Sequence, residues 1–217
     1  MNIELPKQFY YKKDDAEAYT KDDILFCKGN LSFERVMYHA TYEIHGKETC
    51  FYCGCKLNEE NRTLDHMYPR DFGGISITNN LIPCCMECNQ QKNNMTMEEY
   101  FQYLSITDSK ERKQYKNEVL QAHEAYRYKK GFFLPDDWYE YTSESTYVEI
   151  LLKENWIQGK HYKYISEFYK KHGNFPRPVV KSENNKLLDG FLVLLFAKCN
   201  QIDEIPCVKL NNVIDIS

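Results

Sequence analysis

Apolar positions recur at helical spacing from Leu31 to His45, at Phe33, Val36, Met37, Ala40 and Ile44, with Ser32 placed to cap the start and Gly46 to stop the end. A second helix opens where Thr96, Met97, Glu98 and Glu99 have the residue types of a capping box, and it continues through Tyr100, Phe101, Tyr103 and Leu104. Asp108 to Glu111 repeats the device. The stripe that follows, Tyr115, Val119, Ala122 and Tyr126, closes on Lys129, Lys130 and Gly131, the ending that helix dipole and left-handed cap both favour. Residues 131–145 lose this period around Pro135 and read as a linker. Beyond it, helices are expected around Tyr147 to Asn155 and from Tyr162 to His172, the second stopped by Gly173. Then come a strand at Val179 and Val180, a turn at Ser182 to Asn185, a strand at Lys186 to Leu188, a helix from Asp189 to Cys199 and a strand from Ile205 to Leu210. Residues 1–30 mix charge and tyrosine without clear period and read as an arm with one strand or short turn.

Between the first two helices lies the stretch with the densest chemistry. Cys50 and Cys53 form one Cys-x-x-Cys pair, Cys85 and Cys88 another, and four thiolates offered this way match a closed, tetrahedral structural zinc site. Each two-residue gap aims both sulfurs of a pair at one ion. Cys55 and Cys84 lie beside these pairs; Cys85 is preferred over Cys84 because it keeps the two-residue gap to Cys88. Between the pairs, Arg62 to His66 reads as a short strand, and Pro69, Gly73 and Gly74 break the chain into a loop. Asp65, Asn80 and Asn89 offer the hard oxygen ligands that suit Mg²⁺ or Mn²⁺, and the neutral imidazole of His66 can take a proton from water near neutral pH.

In order, these residues are Cys50, Cys53, Asp65, His66, Pro69, Gly73, Gly74, Asn80, Leu81, Cys85, Cys88, Asn89 and Lys92, and the pattern resembles the zinc-containing branch of the HNH endonuclease family. The position named for the family's final His is Asn89 here, which keeps an oxygen ligand. The resemblance implies a ββα-metal fold, His66 as general base, a divalent metal held by Asp65 and Asn89, and Asn80 bracing the loop that orients the imidazole. Arg70 and Lys92, beside these positions, are candidates for phosphate contacts. The competing reading is a zinc knuckle that binds nucleic acid or protein without cutting, in which Asp65 and His66 are incidental.

The last forty or so residues are similar in outline to the ParB and sulfiredoxin superfamily, through Leu188, Asp189, Gly190, Ala197, Lys198, Ile205 and Pro206. The helix Arg that meets phosphate in that superfamily is absent, with Phe191, Leu192 and Val193 in its neighbourhood. A partner-binding or structural role is expected of this part rather than a nucleotide site.

Composition narrows the setting. The 217 residues are 42% hydrophobic and 15% aromatic, as in a soluble globular protein. No apolar run approaches a membrane span, and the opening MNIELPKQFYYKKDD lacks the apolar core of a secretory signal, so a cytoplasmic address is expected. In that reducing setting the nine cysteines read as metal ligands and free thiols rather than disulfides. A formal charge of −4 argues against a strong non-specific nucleic-acid binder, although bound metal and local basic patches act where phosphate sits. One such patch is the helix with Lys110, Arg112, Lys113, Lys116, Arg127, Lys129 and Lys130, which is either a solvated face or a phosphate-contact surface. The expectation is an α+β protein: an N-terminal arm and helix (1–46), an HNH module with its following helices (47–135) and a small C-terminal α/β module (136–217). Its expected activity is metal-dependent DNA hydrolysis with structural Zn²⁺ and catalytic Mg²⁺ or Mn²⁺, and its C-terminal module is a candidate for a protein partner.

Overall fold

The computed structural model describes residues 1–142 and 159–216; the helix expected around Tyr147 to Asn155 lies outside them. The protein is α+β and sorts into two compact units, one from Met37–Phe133 and one from Met1–Val36 together with Leu134–Ser217. The first boundary falls inside helix α1 (Phe33–His45), ten residues before the boundary expected at residue 46. As the apolar spacing requires, Val36, Met37 and Ala40 of α1 are fully buried. Gly46 ends the helix with φ +80°, its N–H donating to Tyr42 O at 3.0 Å.

Within the 37–133 unit, strands β4 (Arg62–His66) and β5 (Leu81–Cys85) pair antiparallel, with Arg62 opposite Cys85 and His66 opposite Leu81. Every residue of β5 is buried, which accounts for its unbroken apolar sequence, and Pro83 is tolerated because a two-stranded ribbon has only edge strands. Helix α2 (Met86–Lys92) follows without a linker, and the Cys85 sulfur caps it by accepting from Cys88 N–H at 3.4 Å. Helix α3 (Met97–Ser105) opens with both bonds of the capping box, Thr96 N–H to Glu99 Oε2 at 2.7 Å and Glu99 N–H to Thr96 Oγ1 at 3.3 Å. Asp108 caps α4 (Ser109–Lys130) through two N–H groups, and Gly131 ends it. The core gathers Cys50, Tyr52 and Leu57 from the knuckle loop, Ile82 and Cys84 from β5, and Met95 and Tyr100 beyond α2.

The other unit holds two four-stranded sheets. In the first, β1 (Tyr10–Lys13), β2 (Ala16–Lys21) and β3 (Ile24–Lys28) form an antiparallel meander, and β10 (Val213–Asp215) joins β3 in parallel. The arm read for residues 1–30 is therefore three strands. Their inward positions are Ala16, Ala18, Leu25 and Cys27, so the period of two is carried by small residues among Tyr, Thr and Glu and has little hydrophobic contrast. Asp22 and Asp23 both take positive φ, the requirement of a two-residue hairpin turn normally advertised by Asn-Gly.

The second sheet has the order β6, β9, β7, β8, from Glu140–Thr142, Ile205–Lys209, Val179–Lys181 and Leu187–Asp189. Helices α5 (Lys160–His172) and α6 (Phe191–Cys199) supply its core with Tyr162, Ile165, Val193, Leu194 and Phe196. The linker read for 131–145 thus contains an edge strand, β6, paired antiparallel to β9. No helix among the described residues is long and apolar enough to cross a membrane.

Candidate active site and metal centre

Adjacent residues on a strand face opposite ways, and β4 uses this to send Asp65 and His66 into different surroundings. Asp65 is 3% exposed, and its Oδ2 accepts from Tyr52 OH at 2.6 Å. Lys92, on the last turn of α2, is fully buried and places Nζ 3.2 Å from Asp65 Oδ1, 3.0 Å from Oδ2 and 2.9 Å from His66 O. Burial pushes the Asp65 carboxyl above the usual carboxylate range, and the Lys92 charge and the Tyr52 hydroxyl offset this only in part. The same burial lowers Lys92. Lys92 is therefore not the phosphate contact expected from sequence: its ammonium is consumed inside the unit, tying α2 to the end of β4.

His66 is half-buried, with Nε2 3.0 Å from Ser76 Oγ. Either group can be the donor, and the bond fixes the ring plane. Asn80 is fully buried and bridges the intervening loop: Oδ1 accepts from Tyr68 N–H at 2.7 Å, and Nδ2 donates to Tyr68 O at 3.1 Å and Ile75 O at 2.9 Å. Gly73, at φ +93°, and Gly74 shape the same loop. A Cβ on Gly74 would stand 1.9 Å from Tyr68 O, so no larger residue fits the turn as built.

Asn89, in the middle of α2, donates through Nδ2 to Thr63 Oγ1 at 3.2 Å and Leu64 O at 3.4 Å, which orients its amide over β4. Asp65, His66 and Asn89 all line one open cleft of about 600 Å³, together with Arg70, Asp71, Met86, Gln90, Asn93 and Asn94. Arg70 is thus at the cleft, as expected, and Asn80 stands behind it. Oxygen donors from Asp65 and Asn89 suit a hard divalent cation, and that part of the donor set fits. The Asp65 carboxylate, however, is already engaged by Tyr52 and Lys92, so a cation there would share it with these partners. Sequence reasoning missed Ser76, Tyr52 and the inward course of Lys92, because nothing local marks a side chain that bonds across a loop.

The knuckle loop folds back on itself through Gly54 N–H to Cys50 O at 2.9 Å and Cys50 N–H to Cys55 O at 2.8 Å. The sulfurs of Cys50, Cys53, Cys55 and Cys85 lie within 4.8 Å of one another, with Cys53 and Cys85 3.9 Å apart. A tetrahedral ion with ~2.3 Å metal–sulfur bonds separates its ligands by about 3.8 Å, so these thiols fit a metal such as zinc. The spacing argument named Cys88 where this group has Cys55. Cys88 nevertheless lies in the same buried cluster as Cys50, Cys85 and Tyr100, and its N–H donates to the Cys85 sulfur at 3.4 Å. The backbone N–H of Cys55 and, against the opposing effect of burial, the thiols of Cys55, Cys50 and Cys88 bring Cys53 down to about 7, which favours the thiolate a metal needs.

A two-stranded ribbon leading directly into a helix, with a cysteine cluster at its base and His, Asp and Asn at its cleft, defines the ββα-metal class. Residues 50–104 match the family model described as HNH endonuclease, so this stretch of the α+β fold is similar to that family. Among solved structures, the Type II-C Cas9 enzyme from Actinomyces naeslundii is similar at 24% identity and a TM-score of 0.30, over 44% of this chain and 12% of that one. The comparison with curated proteins gave no match.

Proposed function

We propose that the protein is a metal-dependent endonuclease that hydrolyses DNA phosphodiester bonds in the cleft beside β4 and α2. The observation that carries this reading is the joint placement of His66 and Asn89 on that cleft, with Asn80 and Ser76 fixing the loop and the imidazole. His66 takes a proton from the attacking water; the new bond forms at phosphorus while the bond to the 3′ oxygen breaks. Asp65 and Asn89 hold a divalent cation such as Mg²⁺ or Mn²⁺, which when bound stabilises charge on the scissile phosphate and the departing oxygen. Arg70 contacts the backbone phosphate at the cleft rim. The cysteine cluster holds a structural zinc ion that keeps β4, β5 and the knuckle loop together. The unit containing the second sheet, with its ParB-like strand and helix order, sets substrate or partner choice and supplies no catalytic group.

A second reading has its own observation. Lys92 and Tyr52 satisfy Asp65 without any cation, as they would in a zinc knuckle that binds nucleic acid or protein without cutting. Digestion of supercoiled plasmid with Mg²⁺, Mn²⁺ or EDTA separates the two. Nicking or linearisation that needs a divalent cation and disappears in His66→Ala is expected. DNA binding without cleavage under every metal condition would favour the knuckle.

A further inference from the structure

We propose that the cysteine centre holds its ion through three constant thiolates, Cys50, Cys53 and Cys85, and a fourth position that Cys55 and Cys88 exchange. Five thiols surround a site that a tetrahedral ion fills with four. Cys55 belongs to the group whose sulfurs lie within 4.8 Å of one another. Cys88 is buried in one cluster with Cys50 and Cys85, and its N–H already donates to the Cys85 sulfur at 3.4 Å. The two candidates approach from different elements: Cys55 is exposed on the knuckle loop, whereas Cys88 is buried in the first turn of α2. Cys84 is no competitor, because it precedes Cys85 on β5 and strand alternation turns it to the opposite face.

The two bound forms differ in what they restrain. With Cys88 on the ion, the turn of α2 that leads into Asn89 is tied directly to the metal. With Cys55 on the ion, the loop closes on itself and Cys88 stays in the buried cluster it shares with Tyr100. Thiolate exchange at zinc needs no oxidant: one sulfur takes a proton as it leaves and the other gives one up as it binds. This inference does not rest on the nuclease reading, since it concerns only the thiols.

The test uses the full chain loaded with Co²⁺ as a spectroscopic stand-in for zinc, in Cys55→Ser, Cys88→Ser and the double variant. Each single variant is expected to bind one Co²⁺ with the absorption of a four-thiolate tetrahedral site, at an affinity within about tenfold of wild type. The double variant is expected to lose that spectrum and at least a hundredfold in affinity. A four-thiolate spectrum in one single variant but not the other would overturn exchange in favour of one fixed ligand, and loss in both singles would overturn it as well. A second measurement, on wild-type protein, covers a variant that fails to fold. Iodoacetamide should modify Cys55 more slowly with zinc than without, and native mass spectrometry should show that chains modified at Cys55 keep their zinc. An unchanged rate, or zinc lost with the modification, would count against the proposal.

Discussion

His66 closes β4 with Ser76 at one ring nitrogen and no cysteine-site duty, so its removal should be felt in chemistry rather than in folding. His66→Ala is expected to lower plasmid cleavage by ~10² to 10⁴ while zinc content and melting temperature hold, because a general base typically contributes that much. Cleavage at the wild-type rate by zinc-loaded His66→Ala would reject the assignment. Lys92 gives the opposite kind of prediction. Replacing it by Met leaves Asp65 buried without its cation, and breaking such a pair typically costs about 3–5 kcal/mol, to be read from the urea midpoint at pH 7. Burial already holds the folded-state pKa of Asp65 above the usual carboxylate range, so its ionised form is the one folding disfavours. In Lys92→Met the deficit should therefore shrink as the pH falls through that raised pKa and grow again as it rises. A deficit that deepened on acidification would mean that some other group is responsible. At this scale the sequence showed which residues meet at the cleft, since Asp65, His66 and Asn89 follow from type and order. It could not show that Lys92 turns inward, because that depends on where α2 lies over β4.

Among the elements, the loop between β4 and β5 has the least tolerance. Gly74→Ala would drive a Cβ into Tyr68 O, and the backbone shift that relieves it pulls on the three hydrogen bonds that Asn80 makes. A stability loss of about 1–3 kcal/mol is expected, with cleavage falling further than the unfolded fraction alone explains. Wild-type activity per folded molecule would show that the loop does not position His66. The α3 capping box makes a milder case: Thr96→Ala should cost about 0.5–2 kcal/mol by calorimetry and leave metal binding unchanged. Helices with caps and an apolar stripe were legible in advance for this reason, as α1, α3 and α4 show. The first three strands were not, because Ala16, Ala18 and Cys27 face inward with side chains too small to mark a period. Strand β10 escaped notice as well: three residues long, it is defined by its parallel partner β3 rather than by its own sequence.

Across the whole molecule, the cysteine cluster belongs to one unit, since its four thiols fall within Met37–Phe133. Stripping the metal with a chelator should therefore melt that unit first and leave the sheet signal of the other, giving two transitions by circular dichroism where the loaded protein gives a higher first one. A single unchanged transition after verified metal loss would show that the thiols do not hold the unit together. The break in periodicity near Pro135 is legible in sequence because it is local. Local pattern gives no hint that the opening strands group with the closing ones, since such pairing joins residues some two hundred positions apart, as Ile3 N–H does in donating to Asn212 Oδ1.

That long-range pairing sets an order of events on the ribosome. Residues 37–133 are complete and able to fold while β3 still lacks its neighbour, because β10 is made only after a further stretch ending at Val213–Asp215. At ~5–20 residues per second the delay is several seconds, long compared with the microseconds a hairpin needs. During it the outer edge of β3 is an unpaired strand edge, the kind of surface that invites wrong partners. The nascent chain should accordingly be most prone to aggregation in the interval after its cysteine-cluster unit has folded and before β10 arrives.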